Sequence, residues 1–397
     1  MEKKKEFFSK IACYSFYLGI VIEVLVVLID KSAYINPIEG QIFRLTFLLF
    51  LIKVCLTRYT FEEYTAIVLF AIIGAVSYFA TGRNEALRLV IMLAACKGID
   101  MKRCLKLVFY MILAGCLAIM ILSVTGLLGD ISLTQNYGRG SEETRYTLGM
   151  GHPNALHCMV WSLIILGLYL YAEKMKWYHF AVPMAINAAF YLITDSKTSF
   201  LVTTMTIVLS MLLVLVKNET IKKVAVLFGY LGTIFSIGIS VLIAANAYRV
   251  YDYVWNADRT KITMFFVKLN DALNGRIRIL VENDGFEGTV GTWSLFSRPE
   301  NNYFFDMGWV RLFYWFGIIP ACAFLAVLLM LMVYCYKKRD YMAAVVIISI
   351  SVYSVTEAHV ISDYLARNYI FFLMGAYWFQ MLPQKRKDKV NESDERY

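Results

Sequence analysis

The chain has 397 residues, 59% of them hydrophobic, and a mean hydropathy of +0.58, which excludes a soluble globular domain of ordinary composition. Its net charge of +9 and pI near 9.0 would suit a nucleic-acid binder, but the basic residues sit mostly at the ends of apolar runs, where topology accounts for them without nucleic acid as a partner. Repeated apolar runs of roughly 17–25 residues are the length of bilayer-spanning helices, so the expectation is an all-α, polytopic membrane protein with one embedded domain over 1–397.

In chain order the spans are expected at 12–29, 41–56, 64–80, 86–97, 104–128, 153–172, 178–194, 199–216, 222–245, 309–336, 341–358 and 364–382. The start, MEKKKEFFSK, has no small-residue cleavage site and reads as the approach to an uncleaved first span. The fourth span is short, and Arg88 is expected to snorkel from it. Lysines and arginines concentrate before the first span and after the second, fourth, sixth, eighth, tenth and last, ending in Lys385, Arg386, Lys387 and Lys389. The opposite loops hold fewer: Lys31, Arg83, Lys197 and Arg367, with Arg139 and Arg145 in a longer one. This asymmetry puts both termini in the cytoplasm and is satisfied by about twelve spans.

Two connections exceed simple turns, 129–152 and 246–307, both on the outer face. The second reads as a subdomain. Its stretch DRTKITMFFVKLNDAL places Ile262, Phe265, Phe266, Leu269 and Leu273 at helical spacing, and Asn274-Gly275 supplies a stop. Such a helix either lies across the mouth of a membrane chamber or rests on lipid headgroups.

Chemistry-bearing residues gather at the outer ends of the spans. The stretch RYTLGMGHPNALH brings Arg145, two glycines, His152, Pro153 and Asn154 to the start of the sixth span. Proline suits a first helical turn, the helix start is an anion site, Arg145 offers a fork matched to phosphate oxygens, and His152 can be an acid, base or donor. Capping and interfacial anchoring account for the same residues without a ligand. DSKTS at 195–199 opens the eighth span, with Ser196 or Thr198 as caps and Lys197 as a charge. Arg276 and Arg278 follow the turn in the long loop, where a second phosphate, a sugar hydroxyl or plain solvation explains them. Asp306 precedes the tenth span as a cap or a chamber-facing carboxylate; Arg311 lies within the apolar run. Glu357 and His359 end the eleventh span, and tyrosines and tryptophans crowd the loop as a belt or as stacking faces. The eight cysteines lie in or beside apolar runs without a CxxC pair and read as buried small side chains. There is no GxxxxGK[ST], Rossmann fingerprint, DxD pair or HExxH, so the chain does not read as built for nucleotides or metals.

The order and spacing across 145–375 resemble the O-antigen and capsule repeat-unit polymerases of the Wzy type, in the superfamily of the O-antigen ligases. Arg145, Gly149, His152, Pro153 and Asn154 match an Arg, Gly, HPN segment; 195–199 is similar to the Ser/Thr-rich segment that follows; Asn274-Gly275-Arg276 is similar to an SGR segment, with Asn for the usual Ser. Asp306 to Gly317 fits an Asp-Asn, aromatic, Gly-Ile-Ile run with Met307 for Asn, and Glu357 and Asn368 fit the closing pattern. No histidine occurs between 246 and 307, where a ligase is expected to use one.

The resemblance implies a metal-independent glycosyltransferase of the cell membrane without cofactors. It would join oligosaccharide repeat units carried on undecaprenyl diphosphate at the outer face, inverting the linkage, beside a flippase and a chain-length regulator. Arg145, Arg276, Arg278 and Lys197 would hold the diphosphate; His152, then Asp306 or Glu357, would serve as base; Asn154, Ser196, Asn302 and Tyr303 would contact the glycan. The alternatives are a flippase or transporter for lipid-linked saccharides and a ligase-type glycan transferase.

Overall fold

The computed structural model of the chain describes residues 2–136, 142–282, 286–362 and 364–382. Arg139 and the terminal basic cluster of Lys385, Arg386, Lys387 and Lys389 lie outside the described residues.

The chain is a helical bundle. It begins with α1 (Glu2–Lys31), α2 (Glu39–Cys55), α3 (Phe61–Thr81), α4 (Glu85–Ala95) and α5 (Met101–Val124). A hairpin follows, β1 (Ser132–Asn136) and β2 (Glu142–Tyr146), then α6 (Pro153–Tyr171), α7 (Ala181–Thr194), α8 (Lys197–Leu215) and α9 (Glu219–Asn246). The long loop contains α10 (Tyr248–Trp255), α11 (Lys261–Ala272) and α12 (Arg276–Ile279). It leads to α13 (Gly308–Phe316), α14 (Ile318–Lys338), α15 (Tyr341–Tyr353) and α16 (Tyr369–Met381).

Seven helical stretches among the described residues are long and apolar enough to cross a membrane. The other expected spans fall on shorter helices: α2, α4, α7, α15 and α16, of 17, 11, 14, 13 and 13 residues. Local chemistry sets many ends. Thr60 and Glu63 form a reciprocal capping box at α3, which stops at Gly82 in the left-handed region (φ 75°). Asp100, Asn218 and Asp340 cap α5, α9 and α15.

Three expectations about the backbone need correction. The fold is not all-α: the connection 129–152 holds the antiparallel hairpin, so the chain is helical with a two-stranded ribbon. The expected span 309–336 breaks at Gly317 (φ 94°), where a Cβ would sit 2.6 Å from the Ser297 nitrogen. There the loop segment 294–297 docks and pairs the freed backbone: Ser297 N–H donates to Phe316, and Ile318 and Ile319 donate to Ser294 and Leu295. Span eleven ends at Tyr353, five residues early, because 354–358 unwinds to pack on Gly308, where a Cβ would meet the Glu357 carbonyl oxygen at 2.9 Å.

Arg88 does not snorkel. Its guanidinium turns inward to Glu23 of α1 at 3.0 Å, and both side chains are buried. Cys55 and Cys322 are exposed, and Cys13 is half-buried; the other five cysteines are buried as expected. Trp309 is fully buried and donates to the Ser351 carbonyl at 2.9 Å, so it is no part of an interfacial belt. Arg311 is buried under the rings of Phe304 and Trp315, 3.8 and 4.6 Å from their centroids.

The core is organised around α6, which packs against α5, α7, α8 and α15. Polar side chains tie it to its neighbours. His157 bonds Thr194 and Asn187, each at 3.0 Å, and Trp161 donates to Ser349 at 3.0 Å. The N-terminus of this helix, the most buried of the seven long apolar stretches, carries the candidate site.

Candidate functional site

A polar cavity of about 280 Å³ is lined by residues from six separate parts of the chain. Gln135 and Arg145 come from the hairpin, His152 and Asn154 from the start of α6, and 195–198 from the α7–α8 junction. Asn274, Arg276 and Ile279 come from the long loop, and Asp306 and Glu357 from the approach to α13 and the turn after α15. Eight residues expected from sequence therefore share one hollow: Arg145, His152, Asn154, Ser196, Lys197, Arg276, Asp306 and Glu357.

The hairpin explains how Arg145 arrives. Side chains alternate along a strand, so Glu143 and Arg145 share a face, and Glu143 binds the Arg145 guanidinium. Leu133 pairs opposite Arg145, and Gln135, two residues on, points to the same face of the ribbon. The Asp195 carboxylate lies 3.5 Å from Arg145 on the other side.

Asp195 ends α7 in the left-handed region (φ 46°), as does Asn274 beside Gly275 (φ 53° and 78°). Both non-glycine positions line the cavity, and such backbone recurs at functional sites. Ser196 occupies the N-cap position of α8 but does not cap it; its hydroxyl bonds that of Ser199 at 2.7 Å. Ser199 in turn bonds the Tyr353 hydroxyl.

His152 itself caps α6. Its Nδ1 accepts the Asn154 backbone N–H at 3.1 Å. A backbone N–H can only donate, so Nδ1 holds the lone pair and the neutral ring carries its proton on Nε2. Burial holds the imidazole below its ordinary pKa; the Asp306 charge opposes this and Arg145 adds to it. The ring is thereby a neutral donor, and the base role expected for it would require breaking the cap.

Arg276 is anchored on backbone. Its Nε donates to the Thr356 carbonyl at 2.6 Å, Nη1 to Leu273 at 3.3 Å and Nη2 to Glu357 at 2.6 Å. Three of the five guanidinium N–H groups are engaged in this way, which leaves two for a ligand. Asp306 stands 4.0 Å from Nη2 and is 43% exposed, where Glu357 is 12% exposed. Burial, then the Asp306 charge, pushes the Glu357 carboxyl up to about 7 against the pull of Arg276.

The lining holds three cations, Arg145, Lys197 and Arg276, and three carboxylates, Asp195, Asp306 and Glu357. The cavity is thus charge-matched and not simply basic, and its arginines are held in place by carboxylates. Among the described residues no three or more His, Cys, Asp or Glu side chains are grouped to hold a metal ion.

Three expected residues lie elsewhere. Arg278 points away from the cavity, 63% exposed and 3.4 Å from Glu282, because residues two apart on a helical turn face different sides. Asn302 is exposed. Tyr303 packs beside Phe305, and its carbonyl accepts the Trp315 indole N–H at 3.1 Å. Both belong to an extended segment that turns toward the cavity only at Asp306. Sequence reasoning passed over Gln135, Asp195 and Asn274. Asp195 and Asn274 stood in the segments singled out, and their signal was a polar residue at a helix stop. Gln135 depended on a strand register that no motif announces.

His359, two residues beyond Glu357, is fully enclosed between the Trp161 and Tyr353 rings, with centroids 4.6 and 4.3 Å away. It braces the turn and does not line the cavity. Helix α11 forms as expected, with Phe266 buried and Ile262 and Phe265 each 56% exposed. Its C-terminal end delivers Asn274 and Arg276 to the cavity.

Searches against protein-family models, curated proteins and solved structures found no match to this chain.

Proposed function

We propose that the chain is a polysaccharide polymerase of the cell membrane, joining undecaprenyl-diphosphate-linked repeat units by metal-independent glycosyl transfer. In this reading twelve helices cross the bilayer, both termini are cytoplasmic, and the polar cavity opens at the outer face. The observation that carries it is the meeting of Arg145, Lys197 and Arg276 with Asp306, Glu357 and the capped His152 around one hollow.

An acceptor hydroxyl attacks the anomeric carbon of the donor. The new glycosidic bond forms as the bond to the diphosphate oxygen breaks, and that oxygen leaves with the electron pair. Arg145, Lys197, the two remaining N–H groups of Arg276 and the Nε2 proton of His152 stabilise the charge that develops there. The acceptor proton passes to a carboxylate. Asp306 is the base in this scheme because it is the more exposed of the two and, among the described residues, hydrogen-bonds no guanidinium. One direct displacement inverts the anomeric centre.

The test is polymerisation by the purified protein in detergent, which needs no sealed compartment, using lipid-linked repeat units from the organism's own polysaccharide. Chain growth should continue undiminished in EDTA. A strict Mg²⁺ requirement would remove the role given to the arginines, and absence of any polymer would leave a transporter as the better account.

The Glu357 carboxyl, held near 7, adds a pH dependence. As the pH falls through this value the carboxyl takes up a proton and Arg276 loses its counter-charge, so the KM for lipid-linked substrate should fall. Glu357→Gln should show the low KM at every pH. A carboxyl raised above 4.5 binds its proton more tightly in the folded chain. Its contribution to stability is therefore full below 4.5 and lost as the pH rises through about 7. A KM that rises on acidification, or one that Glu357→Gln leaves pH-dependent, would contradict this assignment.

A further inference from the structure

We infer that a second polar cavity, one backbone strand away from the first, binds hydroxyl groups of the substrate's glycan; this rests on the lipid-linked saccharide reading above. The cavity measures about 340 Å³ and lies where α1 ends and α2 begins. Asp30, Ser32, Tyr34, Asn36, Glu39 and Tyr364 supply its polar lining. Its volume is that of a small-molecule site.

The two cavities share a wall. Gly151 lines the second and His152 lines the first. The wall is stitched to the end of α1: Gly151 N–H donates to the Lys31 carbonyl at 3.1 Å, and Ala33 N–H donates to the Gly149 carbonyl at 2.9 Å. A bridge between Ser32 and Met150 completes it. Beneath, the Tyr364 ring meets Phe43 edge-on at 5.6 Å, and the Arg88 guanidinium lies on Phe43, 3.9 Å from its centroid. The floor is therefore set by buried, paired groups.

The lining chemistry selects the ligand. Carboxylates only accept hydrogen bonds when ionised, and Asp30 and Glu39 offer oxygens that pairs of sugar hydroxyls satisfy. Asn36 offers the complement: its Nδ2 is buried without a hydrogen-bond partner, while its Oδ1 accepts the Ile38 N–H at 3.2 Å. A ligand oxygen would satisfy that amide. Tyr34, 55% exposed at the rim, presents a ring to the C–H face of a sugar. Lys31 lies 2.6 Å from Asp30, whereas Glu39 forms no ion pair among the described residues and is bonded by the neutral Tyr364 hydroxyl. A carboxylate with no cation beside it disfavours phosphate or uronate, so the ligand is a hydroxyl-rich sugar without an acidic substituent. The first cavity would hold the diphosphate end and the second a glycan ring.

The test uses the full-length protein in detergent, with lipid-linked repeat units extracted from cells that lack it. Asn36→Ala, Glu39→Gln and Tyr34→Ala should each raise the KM for repeat units, by about fivefold on loss of one such contact, with kcat unchanged. Tyr34 is exposed, so its variant should fold whatever the others do. Polymer formation with KM unchanged in all three would overturn the second cavity and leave the proposed function standing. No polymer from the unaltered protein would overturn both.

Discussion

Arg276→Ala should lower the rate of polymer formation by about 10²–10³-fold, the usual consequence of removing one fixed donor from a site of developing negative charge, while membrane insertion and expression stay intact. Arg276 is held by the Thr356 and Leu273 carbonyls as well as by Glu357. Its position is thus set before substrate arrives, and little reorganisation accompanies the reaction. The variant need not unfold, because Glu357 already sits near 7 and can take up a proton where it would otherwise remain an uncompensated buried charge. Arg276→Lys keeps the charge but loses the fork and the bond to Thr356, and should recover only part of the rate. Arg145→Ala, which removes the cation that the hairpin brings to the cavity, should lower the rate in the same way. Arg278→Ala is the internal control: two residues from Arg276 yet exposed and outside the cavity, it should leave polymer length at the unaltered value. Full-length polymer from Arg276→Ala, read on a gel of cell-surface polysaccharide, would refute the assignment.

The contrast between Arg276 and Arg278 also shows what could be read in advance. Polar residues at the ends of apolar runs are legible because hydrocarbon excludes them anywhere else, and six of them, His152, Asn154, Ser196, Lys197, Asp306 and Glu357, do converge. The position of the long-loop helix was legible from apolar spacing and its Asn-Gly stop. Which way a side chain turns on a four-residue helical turn was not, since no amphipathic pattern can develop over so few residues. Nor was the break at Gly317, because an apolar run looks the same whether it is one helix or two. The break depends on backbone from 294–297 arriving to satisfy the freed groups, a contact remote in sequence. The hairpin was hidden for a similar reason: among its five pairs only Leu133 and Tyr146 are apolar or aromatic, so it lacks the alternation that marks a half-buried strand.

Glu23→Ala should destabilise the bundle by about 3–5 kcal/mol, the usual cost of removing one member of a buried ion pair. Glu23 is 0% exposed and Arg88 3% exposed. Their contact spans α1 and α4, and Thr46 of α2 donates to the same carboxylate oxygen at 2.6 Å. Phe43 of α2 lies between the Arg88 guanidinium and the Tyr364 ring, which lines the second cavity, so the damage should reach Tyr364 through Phe43. A structural pair and a catalytic one are separated by replacing both members. Apolar residues of similar size at both positions, Glu23→Met with Arg88→Met, remove two desolvated charges together and should restore most of the stability lost in the single variant. Thermal unfolding in detergent measures both steps. If the double variant regains stability and still makes polymer, the pair fixes helix packing. A Glu23→Ala protein as stable as the unaltered chain would mean that water reaches the pair, contrary to its burial between three helices.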